Sequence, residues 1–289
     1  MPSVYNTAKR DLIDVAVDWI TATADGKSRY KKQSAVAERL LRQEAERGNK
    51  VRRVTIEGYA GFASGQVFAG ALGHTMLMRL SGALAAGHWQ EVYEHSTNVS
   101  RLDLQATVRY TPEVPRLHQR VERDVLKMLG QSKKPLDVGI RQSRRRGATC
   151  EIGSRQSDRY ARVYDKARES KLEQYQGCWR WEVEYKRANA ARLAARIFES
   201  ERPESTINGE LLQTFRSYGT SRLWATEARP SCVSREPSRP EVVCSLLWLR
   251  NGVSKRVQWL MSMGKTQEVI DALGLSDAVT INPPKHEEE

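Results

Sequence analysis

The 289-residue chain is short of histidine and has no long apolar run, and its few cysteines stand apart. Each scarcity excludes a class of function. The five histidines, His74, His88, His95, His118 and His286, form no H-x-H or H-x-x-x-H pair, which argues against a zinc hydrolase or zinc finger. The cysteines at 150, 178, 232 and 244 include no C-x-x-C pair and follow no secretory signal. They read as reduced, mostly buried thiols of a cytoplasmic protein. No apolar stretch reaches the roughly 18 residues of a membrane span, and the small-residue run 61–86 is broken by Gln66, His74 and Arg79. Gly264-Lys265-Thr266 lacks the upstream glycine of a phosphate-binding loop, which argues against an intrinsic ATP-driven helicase.

What the chain has in excess is positive charge. It carries 47 Lys+Arg against 35 Asp+Glu, a formal net charge of +12, and a pI near 9.7. Such a balance favours polyanionic partners, although many basic proteins bind no nucleic acid. The plentiful acids indicate a folded domain with a basic surface. Residues 141–187 concentrate the excess, with 13 Lys/Arg against 7 Asp/Glu.

The length allows one large core or two modest ones. Residues 12–21 suit an opening strand, and 28–48 carry apolar Val36, Ala37, Leu40 and Leu41 at helical spacing. Residues 51–57 and 62–68 suggest a strand pair, 72–86 a helix, and 111–130 a helix entered through Pro112 and Pro115. Strands are expected at 100–110, 136–142, 148–153, 160–166 and 178–187, followed by a helix over 188–199. This order predicts an α+β fold with a mainly antiparallel central sheet flanked by helices. The expected division is a main domain over 1–226, a Pro/Ser/Arg/Glu-rich linker or surface loop over 227–240, and a helical C-terminal module with a frayed tail over 241–289.

Alternation separates the strand faces. Leu102, Leu104, Ala106 and Val108 oppose Arg101, Asp103, Gln105 and Thr107. Trp179, Trp181, Val183 and Tyr185 oppose Arg180, Glu182, Glu184 and Lys186. In Arg159-Tyr160-Ala161-Arg162-Val163-Tyr164-Asp165-Lys166, Tyr164 shares a face with Arg162 and Lys166. If the three polar faces are one, Asp103 and Glu182, with Glu184 and Glu151 in reserve, supply oxygen ligands for Mg²⁺ or Mn²⁺. Tyr164 could then attack a phosphate, its phenolate or the phosphate oxygens stabilised by Arg162 and Lys166. The same pattern also arises if Tyr164 merely packs at a sheet edge while the cations reach solvent. Tyr160 is a rival nucleophile or a residue on which bases stack. The turn Arg144-Arg145-Arg146 can reach phosphates.

Taken in order, four elements resemble the replication initiation factors of rolling-circle plasmids and filamentous phages. These are Arg101-Leu102-Asp103; Thr149 to Ser157, which contains Gly153-Ser154-Arg155; Arg162-Val163-Tyr164-Asp165-Lys166; and Arg180-Trp181-Glu182-Val183-Glu184-Tyr185-Lys186-Arg187. Val17-Asp18-Trp19-Ile20 is similar to that family's opening strand, and the likeness spans about residues 12–200. The resemblance implies a relaxase-like, degenerate HUH-type nicking domain in which carboxylates replace the histidine pair. It implies an enzyme that cuts one origin strand with Tyr164, stays on the 5′ phosphate and later rejoins the strand. Asp103 and Glu182 match the metal-site acids, and Arg155 and Ser157 match the hairpin that precedes the nucleophile strand. Arg101, Arg159, Arg180 and Lys186 fall with the DNA-contacting cations. The implied partners are origin DNA with a hairpin or single-stranded nick site, a host helicase and polymerase, and a second copy of the chain. A regulator without cutting activity and a relaxase at a transfer origin stand as alternatives.

Overall fold

Alternating apolar residues on strands of very different length build one continuous sheet. The computed structural model describes residues 8–130, 136–144, 147–220 and Trp224. The linker and C-terminal module expected beyond residue 226 lie outside these, as do Arg145 and Arg146.

The strands are β1 (Lys9–Asp25), β2 (Arg52–Ile56), β3 (Tyr59–Ser64), β4 (Val67–Leu72), β5 (Thr75–Ser81), β6 (Asn98–Thr111), β7 (Val138–Ser143), β8 (Gly147–Ile152), β9 (Arg159–Asp165) and β10 (Cys178–Lys186). They pair antiparallel in the order β2-β3-β4-β5-β1-β6-β10-β9-β8-β7. The helices are α1 (Lys27–Glu46), α2 (Gly82–Glu94), α3 (Leu117–Leu129), α4 (Lys166–Ser170), α5 (Arg187–Phe198) and α6 (Pro203–Ser217). The fold is thus α+β, with a large antiparallel sheet. Among the described residues, no helix is long and apolar enough to cross a membrane.

Burial against helices decides which face of each strand is apolar. Leu102, Leu104, Ala106, Val108, Trp181 and Val183 are fully buried. Helices α5 and α6 lie on β6 and β10, α2 on β1 and β5, and α3 on β7, β8 and β9. Trp181 meets the rings of Phe215 and Trp224 edge-on, at 4.8 and 5.2 Å between centroids. The opposite face of the central strands carries the charged set read from alternation.

Three expectations need correction, the first being the strand over 62–68, which spans the β3–β4 turn between Ser64 and Val67. The helix expected over 72–86 is a strand followed by a helix: Leu72 pairs with Thr75 across a hairpin in which Gly73 takes φ +59°. An unbroken apolar run reads equally as a buried strand or a buried helix, and here both faces of β5 are covered. The expected strand 160–166 ends at Asp165, whose side chain accepts from the Arg168 amide and caps α4. Lys166 therefore belongs to a helix, and strand alternation does not place it.

Replacing Trp181 with Ala should lower the unfolding free energy by about 3–5 kcal/mol in urea titrations. Phe62→Ala, at a side chain 50% exposed, should stay within about 0.5 kcal/mol.

Candidate active site

Register brings the polar residues of five strands into rows across one face. The first row runs Asp14, Thr107, Arg180, Tyr164 and Thr149 across β1, β6, β10, β9 and β8. The next holds Gln105, Glu182, Arg162 and Glu151, and the third holds Trp19, Asp103, Glu184 and Tyr160. Tyr164, Arg162, Asp103, Glu182 and Glu184 therefore share one face of neighbouring strands.

β1 reaches this face through an irregularity. Between Val17 and Trp19 the pairing with β6 slips by one residue, leaving Asp18 as the extra member of a bulge. Val17 and Ile20 stay in the core, while Trp19 stands opposite Asp103 with the Arg101 guanidinium 4.5 Å from its ring centroid. Asp18 comes to 3.6 Å from Arg180.

The site is buried although it is charged: Asp103 is 1% and Glu182 3% exposed. Isolated ions at such depth would cost several kcal/mol each, so pairing is obligatory. Arg101 grips Asp103 through two parallel bonds of 2.8 and 2.7 Å and reaches Glu184 at 3.0 Å. Lys186 holds the other Glu184 oxygen at 2.8 Å. Arg162 spans Glu182 Oε2 at 2.7 Å and Asp103 at 3.6 Å. Tyr164 donates its phenolic proton to Glu182 Oε1. Arg180 donates to Thr107 at 3.2 Å and faces Asp18 and Asp14, while Gln105 ties down Asp14 at 2.5 Å.

These surroundings set the protonation states. Burial, then the Glu182 charge, push the Tyr164 phenol well above its ordinary value, with Arg180 opposing. It is neutral near pH 7 and hydrogen-bonded to a base. Burial pushes Asp103 up to about 6; Arg101 pulls against it and Glu184 adds to it. Asp18 is also raised, first by burial and then by Glu182, against Arg180, Lys166 and Arg162.

Not every residue expected at the site is placed to serve it. Arg180, expected on DNA, is 7% exposed and engaged within the sheet face. Arg159 pairs opposite Tyr185 on the helix-covered face, with its guanidinium 5.4 Å from the Tyr218 ring centroid. Tyr160 is 2% exposed, too enclosed for a base to stack on it. The Ser157 hydroxyl donates to backbone carbonyls of its own hairpin. Lys166 bonds Glu169 at 2.6 Å. Arg155 is exposed beside Glu151, with 2.7 Å between them, and Arg144 is exposed in the β7–β8 turn.

Asp18 is the residue that sequence reasoning missed. Its signal is faint: an acid within an apolar strand, at a position where simple alternation fails.

No three Asp, Glu, His or Cys groups converge as a ready metal cluster among the described residues. The donors are nonetheless of the right kind. The four carboxylates form two couples, with Glu184 raising the proton affinity of Asp103 and Glu182 that of Asp18. Carboxylate oxygens are the donor type that Mg²⁺ or Mn²⁺ takes, and in this structure guanidinium groups neutralise them.

Comparison with known proteins places the chain. Residues 93–273, more than half of it, match the model of the replication initiation factor family. The chain belongs to that family. Among solved structures it is similar to one described as the rolling circle replication initiator protein from Geobacillus stearothermophilus. Identity is 19%, the match covers 70% of this chain and 85% of that one, and the TM-score is 0.48. No curated protein matches the chain significantly.

The raised Asp103 value gives a pH prediction. The native state holds this proton more tightly than the unfolded chain does. Its stabilising contribution is therefore full below about pH 4 and lost as pH rises through about 6. The stability of wild type minus that of Asp103→Asn should fall across this window in denaturant titrations and level off above it. A flat difference would show that Asp103 titrates normally.

Proposed function

We propose that the chain initiates rolling-circle replication by nicking one origin strand with Tyr164 and later rejoining it. One observation carries this reading: the Tyr164 hydroxyl rests on Glu182 in a face that also gathers Arg162, Arg180, Asp18 and Asp103. A buried neutral phenol becomes a nucleophile only if its proton has somewhere to go, and Glu182 Oε1 is where it goes. The Tyr164 oxygen then forms a bond to phosphorus as the bond to the 3′ oxygen breaks. That oxygen leaves as a 3′-hydroxyl by taking a proton from solvent, to which Glu182 releases the one it accepted from the phenol. In rejoining, a 3′-hydroxyl attacks the phosphotyrosyl ester and returns the proton to the phenol. Arg162, freed from part of its carboxylate bonding, is placed to meet the added charge on the phosphate.

Asp103, Glu182 and Glu184, with Asp18, are the carboxylates that would hold Mg²⁺ or Mn²⁺. A bound ion would polarise the phosphate and neutralise its charge. On this reading the domain is relaxase-like without the histidine pair. Its substrate is origin DNA with a single-stranded or hairpin nick site, and Arg141, Arg144 and Arg155 offer exposed cations near the site. A host helicase and polymerase would extend the 3′ end, and a second copy of the chain could assemble on the origin.

The test is a supercoiled plasmid carrying the cognate origin. Wild type should nick it, leaving protein covalently on the 5′ end, and chelation of divalent ions should stop the reaction. Tyr164→Phe should abolish the adduct while DNA retention in gel shifts stays close to wild type. Glu182→Gln should slow cleavage by about 100- to 10,000-fold, the range of a lost general base. Wild type that binds the origin but never nicks it would favour the non-catalytic regulator, and nicking confined to a transfer origin would favour a relaxase.

A further inference from the structure

A cavity of about 880 Å³ lies on the face of the sheet opposite Tyr164. Its floor is the adjoining row of the same strands, Trp179, Asp165, Ala148 and Gln142. The N-terminus of α3 roofs it and Arg168 of α4 flanks it. Nothing in the nicking reading uses it.

The lining is unlike a gap between structural elements. Both acids are already occupied: Glu113 accepts from Gln176 at 2.7 Å, and Asp165 accepts from the Arg168 amide at 3.1 Å. The donors are not. Arg116 precedes α3 in the left-handed region at φ +55°, and no side chain caps the helix. The side chains of Arg116, Gln119 and Gln142 have no partner among the described residues. His118 is only 9% exposed, leaves Nδ1 without a partner, and lies with its ring 5.7 Å from that of Trp179. Burial, and Arg168 next, push the His118 pKa down, so the ring is neutral near pH 7.

Guanidinium groups beside a helix N-terminus suit a phosphate. Glutamine amides, each offering a donor and an acceptor, suit the edge of a nucleobase. The volume exceeds that of one nucleotide and lies within the usual range of small-ligand sites. We propose that this cavity binds a single unpaired nucleotide of the DNA, with Arg116 and Arg168 on its phosphate and Gln119 and Gln142 on its base. The inference rests on the DNA-handling role of the chain but not on its nucleophile. Tyr164 and Asp165 are consecutive and point to opposite faces, so the two sites are separable by mutation.

The full chain carrying Tyr164→Phe should bind short labelled single strands in anisotropy titrations. Arg116→Ala with Arg168→Ala should weaken that binding about tenfold or more. Gln119→Ala with Gln142→Ala should change the order of preference among the four homopolymer strands. Strands containing 5-iododeoxyuridine should photocrosslink to His118 or Trp179, as located by mass spectrometry. Deoxynucleoside monophosphates should compete and inorganic phosphate should not. Equal competition by inorganic phosphate would reduce the cavity to an anion site and overturn the proposal. So would monophosphate binding without strand binding, which points to a free nucleotide, or crosslinks confined to other residues. Unchanged circular dichroism of the arginine variant separates lost binding from lost fold. Because the background lacks the tyrosine, failure of nicking by wild type leaves this result standing.

Discussion

The structure depends on keeping several carboxylates and arginines ionised where little water reaches them. Asp103, Glu182 and Glu184 are each less than 10% exposed, and each has a cation on at least one oxygen. Removing a single partner would leave an uncompensated charge in the middle of the sheet, which is worse than removing the pair. Arg101 and Arg162 are therefore structural bridges first. Any phosphate entering the site competes with Asp103 and Glu182 for guanidinium groups that already have partners. On the proposed nicking reading, recognition is an exchange of anions that avoids the cost of exposing bare cations.

The helices all lie on the apolar side of the central strands. β6 and β10 are covered by α5 and α6 on one side, which leaves the other side free to carry ions. The two sides share a backbone, so the stiffness of the Trp181 cluster is also the stiffness of the row that holds Tyr164. A phenol that must meet Glu182 at hydrogen-bond distance needs such a mounting, because small displacements of reacting groups are costly in rate.

Much of this was legible in the sequence, for a physical reason. β6 and β10 alternate over the stretch that matters, so Asp103, Glu182 and Glu184 could be assigned to a face before any register was known. What stayed hidden depends on interruptions of period two. Lys166 reads as part of a strand because nothing in the run announces that Asp165 caps a helix. Arg159 stands in sequence among the expected DNA contacts, yet its parity puts it on the other side from Tyr164. The apolar run before Ala86 concealed a hairpin because both faces of β5 are buried. Arg180 looks like a surface cation in sequence, and only the approach of β1, with Asp14 and Asp18, makes it an internal one.

The bulge in β1 has a consequence for how the gene can vary. Before Asp18, even-numbered residues from Asp14 onward face the ions; after it, Trp19 and Thr21, odd-numbered, do so. One surplus residue thus lets two neighbours, Asp18 and Trp19, stand on the same side, a density that a regular pleat forbids. Deleting Asp18 would restore strict alternation with Trp19 still opposite Asp103 and Ile20 still in the core, and would remove one carboxylate from beside Arg180. At this point of the chain the surplus residue serves the charged face and not the pairing.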